Sequence, residues 1–569
     1  MRTILPILTA RLALGALFAT LAAATLAQKV SLAQESPISK TSGSVAAAPA
    51  EVDRLLRQDL GAAADAAAQK VDDGAFLRRA TLDLLGRLPT PEEVTAFVLD
   101  PALDKRARRI DELLADPAFG ENWGRYFRDV ILYRKSEDRA LIAAEAIESY
   151  LEDAFNENRP WDQIATDFIT AEGSVVEKGE TGIIFAQQGR PEETVAEISR
   201  IFMGVQIQCA QCHDHPTDRW KREQFHELAA FFPRVAVRPM RDQGPLSFQV
   251  VADDAPMVAR RANAQNRFRG SPQHYMPNLE DPQDQGTLMS PVFFVTGQKL
   301  TTSARDQERR ASLAKWVTSP DNEWFAKALV NRLWGELVGE GFYEPLDDLG
   351  PDRAPQAPQT LNYLAQHFVQ SGYDVKDLFR TIMATDAYQR QVRPRREPDE
   401  SPFTAGVAQR LRSDQLFTNL QNILGLPEQL TPMRAPGGQG QPPPAQRGPA
   451  RRFGGNMRFQ YQQVFGYDPS DRRDEVTTSI PQALAMMNSP LINTAAAARP
   501  GTRLGKLLSE IRDDETLISE LYLLTLAREP SKEEMRTCLN YLSKVKNRNE
   551  AFEDLLWSLI NTTEFRFRN

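Results

Sequence analysis

Apolar residues recur at helical spacing over most of the chain, and that periodicity constrains the fold more than any other feature. Phe76, Ala80, Leu82 and Leu85 supply one apolar face, and Ile110, Leu113 and Leu114 another. From Glu51 to about Pro233 the pattern is helical almost throughout, and it resumes after Thr301 with Trp316, Phe325, Leu329, Leu333 and Trp334 as expected core. Between Arg234 and Leu300 it fades, leaving short strands expected at Leu246–Val251 and Val292–Val295 among Pro, Gly, Asn and Asp. The expected fold is therefore mainly α: two helical domains, 51–233 and 301–569, joined by an irregular connector at 234–300 with a few short strands. A Pro-, Gly-, Gln- and Arg-rich loop at 432–455 interrupts the second domain.

The chain is long enough, at 569 residues, to bury a core without disulfides, and it has only three cysteines. Its 41% hydrophobic content excludes wholesale disorder, a collagen-like chain and a multi-span membrane protein. A net charge of −8 leaves no basic excess to attract nucleic acid. At the N-terminus, Arg2 and Arg11 precede an apolar run from Leu12 to Ala27, too short for a bilayer span. Ser31 and Ala33 then flank Leu32, as at a cleavage site. Residues 1–33 read as a secretory signal peptide and 34–50 as a flexible tether. The expected localisation is periplasmic or extracellular, with no transmembrane segment once the signal is removed.

Arg87-Leu-Pro89-Thr90-Pro91-Glu92-Glu93 echoes Arg528-Glu-Pro530-Ser531-Lys532-Glu533-Glu534. In each, Thr90 or Ser531 can cap a helix while Glu93 or Glu534 reaches back to it. A second echo sets Asp377-Leu378-Phe379, ending at Tyr388, against Asp554-Leu555-Leu556, ending at Phe565. Both read as reused helix devices, with duplication as the alternative.

The chemistry lies in Cys209-Ala210-Gln211-Cys212-His213, a C-x-x-C-H segment of the kind that attaches c-type haem. Two thiols one helical turn apart reach the vinyl groups on one porphyrin edge, and the next residue, His213, can then give an imidazole nitrogen to iron. Pro191, Glu192 and Glu193 start a helix leading into the segment, with Val195, Ile198, Phe202 and Val205 on one face. Met240, Met257, Met276, Met289, His226 and His274 are all within sequence reach as a second axial ligand, whereas His215 is too close to His213. Two other uses compete. One is a Cys209–Cys212 disulfide, structural or redox-active. The other is a divalent metal ion held by some of Cys209, Cys212, His213, Asp214, His215, Asp218 and His226. No G-x-S-x-G elbow and no H-E-x-x-H motif occurs. Asp347, Asp348 and Asp352 could bind Ca²⁺ or act as acid and base, against the simpler reading of a polar turn.

Several longer segments carry a resemblance. They are Phe76-Leu77-Arg78-Arg79 through Leu82-Asp83-Leu84-Leu85-Gly86-Arg87-Leu88-Pro89-Thr90, Gly204 to Pro216 with the Asp214-His215-Pro216 extension, and Ala229 to Phe232. In the second half they are Ser319–Asn322, Ala328–Arg332, Asp347–Pro351, Ser371–Asp374, and Ile480–Leu484 with Met487–Pro490. Across nearly the whole mature chain the sequence resembles a secreted planctomycete family. That family pairs a cytochrome-c-like domain with a second, planctomycete-specific domain, both of unknown function. The C-x-x-C-H segment, from which the family's own haem reading comes, makes the leading expectation an exported haem protein serving electron transfer or a haem-dependent redox step, with an extracytoplasmic redox partner; the Asp214-His215-Pro216 extension, unlike a generic small cytochrome, leaves a metal or structural role open. The alternative is a secreted binding or structural protein whose Cys-His cluster holds a disulfide or a metal.

Overall fold

The computed structural model describes residues 48–240, 242–254, 273–393, 400–426, 457–472, 476 and 478–568. Residues 1–33, expected to be a signal peptide, and the loop at 432–455 lie outside the described residues. The tether does not extend to residue 50, because Ala48 already begins the helix Ala48–Leu60. Helices dominate, and strands are confined to small sheets. The largest sheet has three antiparallel strands, with Phe248–Ala252 at its centre between Gly173–Ser174 and Val235–Pro239. It stands close to where the fading helical pattern placed a strand. No described helix is long and apolar enough to cross a membrane.

The helix Asp73–Leu85 is the axis of the packing. Asp72 caps its start by accepting from the Ala75 amide, and Gly86 ends it in the left-handed conformation at φ 69°. Glycine is needed there twice over, since a Cβ on Gly86 would stand 2.6 Å from Asn122 Oδ1. Phe76, Leu77, Ala80, Leu82 and Leu84 along this helix are completely buried. Ten consecutive residues, Phe76–Leu85, are buried, so its polar residues need internal partners.

Those partners come from the other end of the chain. Arg79 Nη1 donates to the carbonyls of Tyr388 and Arg390, while Arg78 Nη2 donates to those of Glu564, at 2.6 Å, and Phe567, at 3.0 Å. Asp83 Oδ1 pairs with Arg568 Nε at 2.6 Å, and Asp83 Oδ2 accepts from the Tyr388 hydroxyl at 2.8 Å. Both sequence echoes meet here. Thr385 and Thr562 cap two short helices, Asp386–Gln389 and Thr563–Arg566, by accepting from Tyr388 and Phe565 amides. Adjacent arginines on one helix thus bind the ends of two equivalent units.

The other echo forms two equal devices. Thr90 with Glu93 and Ser531 with Glu534 complete capping boxes, and Arg87 and Arg528 each hold the capping glutamate with two hydrogen bonds. In both copies the preceding 13-residue helix, Asp73–Leu85 or Asp514–Leu526, ends in a left-handed residue, Gly86 or Ala527. Residues 48–569 form one compact unit whose apolar core runs without a break through both halves.

Replacing Arg568 with Met leaves Asp83 buried without its cation, and stability should fall by about 3–5 kcal/mol. Adding Asp83→Asn, which keeps an acceptor for Tyr388, should recover more than half of that loss. Urea unfolding of the two variants measures both.

Candidate functional site

The Cys-His segment follows a helix that changes its pitch. Pro191–Ile198 is α-helical, and Ser199–Met203 widens to a π turn before Gly204, at φ 64°, ends it. Val195, Ile198, Phe202 and Val205 are all buried, as the expected face requires. A Cβ on Gly204 would lie 2.7 Å from Leu349 Cδ1, so glycine admits the second half of the chain at this point.

The Asp347–Pro351 turn grips both sides of the segment. Asp347 is fully buried and pairs with Arg200 at 2.9 Å and Arg332 at 3.6 Å, and it accepts from Gln206 Nε2 at 3.0 Å. These cations hold its carboxyl down to about 2 against the upward push of burial. The Leu349 amide donates to the Gly204 carbonyl at 2.6 Å, and the Asp352 amide to Asp218 Oδ1 at 3.3 Å. Asp348 pairs with Arg353. Among the described residues the three aspartates therefore form no calcium or acid–base group; the Asp347 carboxylate and the Asp352 amide anchor the loop that carries the thiols.

Cys209 and Cys212 are exposed, unlinked thiols. Cys209 lies in a 3₁₀ turn, Ile207–Gln211, that Cys212 caps. Ile207 and Ala210 of this turn are buried, while both cysteines are exposed.

His213 is exposed, with Nδ1 2.7 Å from the Asp214 carbonyl. A carbonyl oxygen only accepts, so Nδ1 carries the proton and Nε2 presents its lone pair. Metal-binding histidines are oriented in this way. Asp214 is held in turn by Lys221 Nζ at 2.9 Å and the Arg222 amide at 3.1 Å, and the His215 amide closes the loop on the Trp220 carbonyl at 2.8 Å. The Asp214-His215-Pro216 extension thus builds the support for His213.

His226 sits beneath the turn, buried, on the helix Arg222–Ala229. Its Nε2 lies 3.0 Å from the Gln211 carbonyl and its Nδ1 2.9 Å from His274 Nε2. The carbonyl again fixes the tautomer: Nε2 donates to Gln211, and Nδ1 accepts from His274. Both imidazoles are pushed down to about 4, chiefly by burial, so both are neutral at pH 7. His274 Nδ1 lies 3.6 Å from Glu192. With both of its ring nitrogens engaged, His226 braces the peptide between the two cysteines, and His274 holds it in that orientation.

Of the residues considered as metal ligands, Asp214, His215 and His226 are not brought together with the thiols. Among the described residues no three His, Cys, Asp or Glu side chains group to hold an ion. Of the methionines, Met289 is buried, Met240 and Met276 are half-buried, and Met257 lies outside the described residues. Cys209, Cys212 and His213 are adjacent in sequence and exposed, and they are the residues that covalent haem attachment would use.

Two family models match, each described as a protein of unknown function: PSCyt2 (DUF1549) over residues 51–237 and PSD1 (DUF1553) over 309–542. The chain belongs to the family that pairs them. The Cys-His segment falls in the PSCyt2 part and its Asp347–Pro351 anchor in the PSD1 part, so the site draws on both. No curated protein and no solved structure matches the chain.

Two outcomes follow from the histidine brace. His226→Phe leaves the Gln211 carbonyl with only the longer bond from Arg222 Nε, at 3.4 Å, and takes the acceptor from His274 Nε2, which should cost about 1–3 kcal/mol, whereas His226→Gln, which can still donate to the carbonyl, should recover part of it. Thiol labelling at Cys209 and Cys212 should change in the Phe variant and less in the Gln variant. Because the folded pKa values lie below the ordinary value of about 6.5, the unfolded chain binds more protons between pH 6.5 and 4. Stability should fall across that window as pH drops, and less steeply in His226→Gln; urea midpoints against pH test this.

Proposed function

We propose that the protein is exported and carries a c-type haem on Cys209 and Cys212, with His213 Nε2 as axial ligand. The observation that supports this reading most is the fixed tautomer of His213, next in sequence to two exposed thiols at a 3₁₀ turn. Haem bound there would supply one-electron redox chemistry to an extracytoplasmic partner. The chain's own contribution is placement. The Asp214 carbonyl holds the imidazole, the His226–His274 brace holds the Gln211 peptide, and the Asp347 turn holds the entry and exit of the segment. Export through residues 1–33 agrees with this reading, since c-type attachment takes place outside the cytoplasm.

The test is expression of the full chain in a host that attaches c-type haem. The denatured parent should retain a haem-stained band, and a Cys209→Ala, Cys212→Ala variant should lose it. An unstained parent from a host that matures a control cytochrome would overturn the proposal. A Cys209–Cys212 disulfide in that parent would favour the secreted binding or structural protein instead.

A further inference from the structure

A cleft of about 1700 Å³ runs between the helices Ala118–Leu132, Ala144–Asn156 and Met457–Phe465, and no residue of the Cys-His segment lines it. The turn at 243–247, between two strands of the largest sheet, contributes to its wall. Sites for single small molecules occupy roughly 300–1,000 Å³, so an occupant that fills this cleft is an extended chain of several units.

The charges in the cleft cancel. Arg125 pairs with Glu148 at 2.8 Å, and Arg128 pairs with Asp129 at 2.8 Å and also with Glu148. Five basic and six acidic side chains line the walls, which gives a polyanion no attraction.

What remains are hydrogen-bond acceptors and an aromatic face. Asp129 Oδ1 takes donors from Arg128 Nε and Nη2 and from Gln462 Nε2, the last at 2.7 Å, while Oδ2 accepts from no described residue. Gln462 spends its amide nitrogen there, and its Oε1 has no donor among the described residues. Tyr133, half exposed at 50%, offers a ring beside them. Burial first, and the Asp414 charge after it, push the Asp129 carboxyl above its ordinary range despite Arg128, so an added hydroxyl donor would stabilise its charged form.

We propose that this cleft binds a neutral polyhydroxylated chain, an oligosaccharide of several residues. Tyr133 would stack on the apolar face of a sugar ring while Asp129 Oδ2 and Gln462 Oε1 accept from its hydroxyls. A peptide is served less well. The cleft is walled mostly by helices whose backbone groups are already bonded, and the central strand Phe248–Ala252 is paired along both edges, so it offers no place for strand addition. The proposal is independent of the haem reading.

Isothermal titration of the full chain would use neutral hexasaccharides of glucose, mannose, xylose and galactose, beside a sulfated hexasaccharide and an uncharged hexapeptide. At least one neutral hexasaccharide should bind. Tyr133→Ala should weaken it tenfold or more without lowering the melting temperature, and Tyr133→Phe should bind within threefold of the parent. No binding by any neutral hexasaccharide, tighter binding of the sulfated chain or the peptide, or an unaffected Tyr133→Ala would each overturn the proposal.

Discussion

Asp83 is a carboxylate in the interior, and the rest of the structure is organised around making that tolerable. An isolated buried charge is costly, so it persists only where cations and donors converge on it. Here they come from Arg568 and Tyr388, separated from Asp83 by most of the chain. The neighbouring Arg78 and Arg79 fix the carbonyls around those same partners. Once the helix Asp73–Leu85 is seated, the ends of two C-terminal helical units have defined places. Leaving them would strand a buried charge on each side.

A second buried tie, Arg200 with Asp347, acts in the same way on the functional segment. Arg200 also holds Glu197 at 2.6 Å and the Val130 carbonyl at 2.8 Å, so the π turn before Gly204 is clamped from three directions. The exposed thiols therefore stand on a rigid base despite their surface position. His213 is oriented by a hydrogen bond to the Asp214 carbonyl, and the Gln211 carbonyl by donors from His226 and Arg222, with directions fixed because a carbonyl cannot donate. Covalent attachment of the proposed haem would call for preorganisation of this kind.

Much of this was legible in the sequence. The helical periodicity, the two capping boxes and the Pro191 start each depend on residues a few positions apart, and local spacing is what a sequence displays. The Cys-His segment is local too. What was hidden depends on pairs far apart. Asp347 reads as one of three aspartates in a polar turn until Arg200 and Arg332 surround it. Nothing local to Arg78 and Arg79 signals that both are buried, because their partners lie more than 300 residues away. His274 was visible only as one ligand among several, because its partner His226 lies 48 residues away on another element. The cleft was not legible at all, since its walls come from segments more than 300 residues apart. The second echo was visible, but not that two adjacent arginines read both of its copies.

Buried ties of this kind join the PSCyt2 and PSD1 regions into one body rather than two tethered ones. Scanning calorimetry of the chain from residue 34 onward should therefore show a single transition whose calorimetric and van't Hoff enthalpies agree, moved downward as a whole by Asp347→Asn. Two separable transitions, with Asp347→Asn shifting only one of them, would contradict it.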